Sequence, residues 1–145
     1  MKQKRPDKKN AASIVEASER DMDFTLTLEQ KDESSATIIR NIYECFRMLG
    51  EALLVSRGIE STDHIQPIKE LLNLKVKTSR PINLIENLRK LRHNINYKGY
   101  KPTLDEVKDI ISIAESCFKP LLQEVRKKLE LKKTPTSKNE IGDLI

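Results

Sequence analysis

Between Leu88 and Tyr100 the chain reads Leu-Arg-Lys-Leu-Arg-His-Asn-Ile-Asn-Tyr-Lys-Gly-Tyr, a stretch dense in groups that can meet an anion. On a helix Arg89, Arg92, His93 and Asn96 stand at offsets of 3, 4 and 7 and share one polar stripe. Beside it runs the apolar stripe of Leu84, Leu88, Leu91 and Ile95. Arg92 follows Leu88 by four residues, so it borders the core. From there its long stem can lie along apolar surface while the guanidinium reaches a groove or an interface. The stretch then enters an expected loop, Asn96 to Lys101, that carries Tyr97, Lys98, Gly99 and Tyr100 ahead of Pro102. Cations beside aromatic rings at one helix end suit phosphates and unstacked bases. The same residues also fit a plainer role, a solvated flank with two tyrosines covering the end of a bundle.

Other chemistries have little to work with. The chain contains no glycine-rich phosphate loop, no Cys-x-x-Cys and no nucleophile-elbow serine. His64 and His93 are its two histidines, so a His-rich metal site within one chain is excluded, and neither metal nor cofactor is expected. His64 reads as a surface residue near the start of a short helix. Cys45 and Cys117 each sit in a helical apolar pattern and read as buried, reduced thiols.

Helices must position the Arg92 stretch. The 145 residues, 37% apolar and 34% charged, suffice for one modest core under a heavily solvated surface. Four glycines leave few tight turns, which favours long helices. Residues 1–9 read as a disordered basic leader. Residues 10–30 are read as a helix, although Phe24, Leu26 and Leu28 alternate with Thr25 and Thr27 as a strand would. Residues 33–57 carry Ile39, Ile42, Tyr43, Phe46, Leu49 and Leu53 at helical spacing, with Ser34 or Ser35 to cap the start and Gly58 to end it. A short helix is expected over 64–74, capped by Asp63, and another starts at Pro81. The last begins with the reciprocal Thr103 and Glu106 caps and is expected to kink at Pro120. Residues 132–145 read as a flexible tail. The fold class is therefore all-α, an up-and-down four- to five-helix bundle over residues 10–131.

The net charge of +5 is unevenly spread. Residues 1–9 carry +4, residues 126–138 carry +5 and residues 75–101 carry +7, leaving −11 on the rest. A basic internal segment among acidic helices is a natural place for a phosphate-bearing partner. No run approaches the roughly 20 apolar residues that span a bilayer, and no apolar segment follows the basic N-terminus. The expectation is a soluble, cytoplasmic protein with no membrane partner.

A long amphipathic helix, a short one, a helix ending in Leu91-Arg92-His93-Asn94-Ile95-Asn96-Tyr97-Lys98-Gly99-Tyr100 and a capped last helix together resemble the HEPN superfamily (higher eukaryotes and prokaryotes nucleotide-binding). The resemblance covers roughly residues 33–131. Its mark is an arginine, four to six residues, then a histidine, late in the penultimate helix. Membership implies a homodimer whose motif helices line one composite cleft. Many members resemble metal-independent endoribonucleases, often toxins of toxin–antitoxin pairs. Others look like non-catalytic partners of small nucleotidyltransferases. Arg92 matches the motif arginine, but after four intervening residues stands Tyr97 in place of histidine. His93 directly follows Arg92, and Arg89 to His93 is one residue short of the spacing.

That departure has chemical weight. Metal-free RNA cleavage needs a base for the 2′-hydroxyl proton and a cation for the developing phosphorane charge. A tyrosine, ordinarily titrating at about 10, is a poor base at neutral pH, whereas an imidazole is well matched. The leading expectation is thus a HEPN-like module that binds RNA, a nucleotide or a nucleotidyltransferase partner with little or no nuclease activity, through Arg89, Arg92, His93, Asn96, Tyr97, Lys98 and Tyr100. One alternative is a ribonuclease with Arg92 and His93 as its catalytic pair. Another is a structural or antitoxin-like protein-interaction module.

Overall fold

The computed structural model of the protein describes residues 2–63 and 65–131. Five helices dominate them: α1 (Lys8–Thr25), α2 (Asp32–Ser56), α3 (Ile65–Leu72), α4 (Leu84–Lys98) and α5 (Leu104–Lys128). Two short strands, β1 (Lys2–Gln3) and β2 (Ile59–Glu60), pair antiparallel. The all-α bundle expected from the apolar periodicity is what the chain forms. The expected tail at 132–145 and the reading of His64 lie outside the described residues.

α2 is the central helix. Its apolar residues recur so closely that Ile38, Ile39, Ile42, Tyr43, Cys45, Phe46, Leu49, Ala52 and Leu53 are all buried, and α1, α3, α4 and α5 all pack on it. α1 and α4 run antiparallel to α2. Asp7, just before α1, donates its N–H to Val55 O near the end of α2, and Arg40, early in α2, reaches Asn96 at the end of α4. Phe46 and Phe118 meet edge to face at 5.6 Å where α2 crosses α5. Ser18, fully buried on α1, donates to Cys45 O at 2.7 Å, which satisfies a hydroxyl that would otherwise be stranded in the core.

The ends of the helices follow from local chemistry. Thr103 Oγ1 accepts the Glu106 N–H, and Glu106 Oε1 accepts the Thr103 N–H, as expected of a reciprocal cap. Asp63 Oδ1 accepts the N–H groups of Ile65 and Gln66 at the head of α3. α2 starts earlier than its serines suggest: Lys31 is its N-cap, and Ser34 lies inside the first turn and accepts the Lys31 N–H at 3.0 Å. It ends at Gly58, whose φ of 75° is a left-handed conformation that suits glycine. α2 and α3 approach so closely at Gly50 that a β-carbon there would meet Pro67 O at 1.8 Å.

Three expectations need correction. Residues 2–9 are not a free leader: β1 pairs with β2, the Lys4 N–H donates to Gly58 O, and Asp7 Oδ1 caps α1 through the Asn10 N–H. The unpaired backbone beyond α2 supplies partners that composition does not reveal. The helix read over 10–30 is present as α1, and the alternation over 24–28 falls at its end: Phe24 and Thr25 finish α1 and residues 26–28 turn, with Thr27 and Leu28 N–H groups bonded back to Phe24 and Thr25. α4 begins at Leu84 rather than Pro81, after a turn in which the Leu84 N–H bonds to Pro81 O. It also continues through Asn96, Tyr97 and Lys98, which are not loop. α5 runs from Leu104 to Lys128 with Pro120 inside it.

Candidate functional site

The end of α4 determines how the site residues are presented. Gly99 takes φ 64° and the Tyr100 N–H bonds back to Asn94 O at 3.1 Å, closing the helix with a left-handed glycine. Asn96, Tyr97 and Lys98 therefore lie on a helical turn with directions set by its geometry. Leu88 and Ile95 anchor α4 in the core together with Ile85. Ile85 completes the buried face, while Leu84 and Leu91 are only partly buried.

Of the Arg89, Arg92, His93, Asn96 stripe, Arg92 and Asn96 reach α2, and its members do different things. Arg89 turns back along its own helix and donates to Glu86 Oε1 at 2.6 and 2.9 Å. That hydrogen bond is the main reason the Glu86 carboxyl lies below its ordinary pKa. Arg92 has no such partner. Its guanidinium lies 5.2 Å from the centre of the Tyr43 ring and 6.0 Å from that of Tyr97, with no ion pair to a carboxylate among the described residues. A cation held over rings gains about 0.5–2 kcal/mol, so little restrains it from a better anionic partner. His93 is exposed and its ring centre lies 4.8 Å from that of Tyr97, tilted by 46°. Tyr97 is 65% exposed. Asn96 Oδ1 accepts from Arg40 Nε at 2.6 Å, which ties the end of α4 to α2.

Lys98 and Tyr100 stand at the rim. Lys98 is exposed in the last turn of α4, where a cation complements the helix dipole. The Tyr100 hydroxyl donates to Glu106 Oε1 at 2.6 Å, so this ring belongs to the cap of α5 as much as to any ligand surface. Burial alone would raise the Glu106 carboxyl. The bonds from Tyr100 and Thr103 outweigh it and hold the group below its ordinary value.

Two participants come from α2, and the reading of the sequence did not single them out. Tyr43 supplies the ring under Arg92, and Arg40 lies one turn before it. The available signal was the series Arg40, Tyr43, Arg47 at spacings of three and four along the edge of the α2 apolar stripe. Arg47 itself is already committed, bidentate to Glu44 and reaching Glu51. The +7 segment is thus not one patch. Arg80 clamps Asp109 on α5 at 2.9 Å, and Lys75 and Lys77 line a cleft with Pro120 and Lys127. No group of three or more His, Cys, Asp or Glu side chains among the described residues could hold a metal ion. No helix among them is long and apolar enough to cross a membrane. Compared with known proteins, the chain matches no family model, no curated protein and no solved structure.

Proposed function

We propose that the protein is a HEPN-like helical module that binds RNA or a nucleotide across the seam between α2 and α4, with little or no nuclease activity. The observation that carries this reading is Arg92, a partly buried residue whose guanidinium is flanked by two aromatic rings and lacks a carboxylate among the described residues. The exposed Tyr97 and His93 rings add a stacking surface for bases beside it. Tyr97 at the position of the motif histidine argues against cleavage, because no efficient base stands in that register.

Fluorescence anisotropy with a single-stranded RNA at low salt tests the reading. Wild-type protein should bind and Arg92→Glu should bind at least about tenfold more weakly at an unchanged melting temperature. No wild-type binding to RNA or mononucleotides would overturn the proposal. The same reading carries a homodimer with α4 at its interface, which a monomer mass by light scattering at micromolar concentration would refute.

One observation favours the nuclease alternative. The His93 ring lies against Tyr97, so an imidazole neighbours the position that the motif assigns to histidine. Cleavage in excess chelator with cyclic-phosphate products, lost in both Arg92→Ala and His93→Ala, would put that alternative first.

A further inference from the structure

Tyr43 heads the large side chains that are fully buried, with 1% of its surface exposed, and its hydroxyl has no hydrogen-bond partner among the described residues. A phenylalanine would fill nearly the same space without stranding a polar group. A buried hydroxyl left unpaired at the edge of a cationic seam therefore calls for an explanation. Burial holds the phenol above its ordinary pKa against the opposing pull of Arg92, Arg47 and Arg89, so at neutral pH it remains an O–H donor.

The charges around it divide into two kinds. Arg47 is occupied by Glu44 and Glu51, and Arg89 by Glu86. Arg92 and Arg40 have no carboxylate partner among the described residues. Arg92 rests on the Tyr43 ring, and Arg40 bonds only the neutral Asn96. These residues form a compact set, with Arg40 and Tyr43 one turn apart on α2 and Arg92 and Asn96 one turn apart on α4.

Building on the binding function proposed above, we infer that the seam recognises a phosphate monoester, the terminal phosphate of an RNA strand or of a nucleotide. Arg92 leaves the Tyr43 ring to pair with the phosphate, and the uncovered Tyr43 hydroxyl donates to one of its oxygens. A monoester carries about −1.5 to −2 charge at neutral pH on three terminal oxygens. Two guanidiniums without carboxylate partners among the described residues and one neutral donor match that dianion. An internal phosphodiester, with a single charge, would leave one guanidinium unmatched.

The test compares one short oligoribonucleotide in 5′-phosphorylated, 3′-phosphorylated and unphosphorylated forms, together with adenosine monophosphate and inorganic phosphate. Each is titrated into wild type, Tyr43→Phe and Arg92→Gln, with a thermal melt of every variant. The wild type should prefer a phosphorylated end by about tenfold or more, a difference of about 1.4 kcal/mol. The preference should vanish in both variants, while Tyr43→Phe melts no lower than wild type. Stronger binding of a phosphorylated strand than of the mononucleotide would identify a strand end as the source of the phosphate, and the reverse would identify a nucleotide. RNA binding that ignores the terminal phosphate, or a preference that survives Tyr43→Phe or Arg92→Gln, would overturn this inference and leave the broader binding function standing. Failure of every probe to bind would overturn both.

Discussion

Substituting Gly50 by alanine tests the close approach of α2 and α3. The new β-carbon would lie 1.8 Å from Pro67 O, 2.6 Å from Pro67 C and 3.1 Å from its Cα. Ordinary contact begins at 3.4 Å, so the backbones of α2 and α3 would have to part by about 1.6 Å. No side chain can rotate out of the way, because all three atoms are main chain. Moving α3 draws Ile68 and Leu71, now 1% and 0% exposed, out of their packing. Alanine's higher helix propensity returns about 1 kcal/mol. Overpacking against backbone, with partial loss of two buried aliphatic contacts worth about 1.5–3 kcal/mol each, costs more. The net expectation is a destabilisation of about 2–4 kcal/mol, read as a lower urea midpoint at an unchanged slope. Gly99→Ala is the control. It meets nothing within 4 Å and should lose only the left-handed backbone cost of about 1–2 kcal/mol. A Gly50→Ala protein as stable as wild type, or one less affected than Gly99→Ala, would refute the close approach.

Acid should weaken the fold through depressed carboxylates. Burial alone would raise Glu19, but the hydrogen bond and charge of Arg126, helped by Lys119, hold it below the ordinary value of about 4.5. A depressed native pKa contributes stability that is complete above the unfolded value and is lost as pH falls through the native one. The melting temperature should therefore decline below about pH 4.5, and Glu19→Gln should flatten that decline while lowering stability at neutral pH. Equal acid slopes in the two proteins would count against the pair. Burial, reinforced by Asp21, Glu44 and Asp23, pushes the Cys45 thiol up to about 12, so a thiol-specific reagent should leave it unmodified in the native state and label it on unfolding. Rapid labelling of native protein would contradict its burial. Thr103→Ala removes the acceptor for the Glu106 N–H and should cost about 1 kcal/mol in denaturant titrations. No measurable change would mean that this cap is idle.

Much of the bundle was legible because its signals are local. The α2 stripe, the Thr103 and Glu106 caps and the left-handed glycine at 58 involve residues a few positions apart. The pairing of Arg89 with Glu86 is equally local and could have been anticipated from their spacing of three. Contacts remote in sequence escaped: Arg40 with Asn96 across 56 positions and Arg126 with Glu19 across 107. Tyr43 escaped for a different reason. Its ring satisfies the apolar periodicity of α2, so the pattern placed it in the core and gave no account of its hydroxyl. The motif around Arg92 singles out α4, but which of its cations lack a carboxylate partner depends on carboxylates that only the folded arrangement assigns.

The placement of α4 has a kinetic consequence. It packs mainly on α2 and touches α5 only lightly, whereas α2 is held on several sides. The helix that carries Arg92 is thus among the more weakly moored parts of the bundle and should open without the rest. In hydrogen exchange the α4 amides should report a local opening, and those of α2 the global one. A ligand that bridges Arg40 and Tyr43 on one helix to Arg92 and Asn96 on the other would work as a latch. Its occupancy would be recorded in slowed exchange along α4, even where no other part of the molecule changes shape.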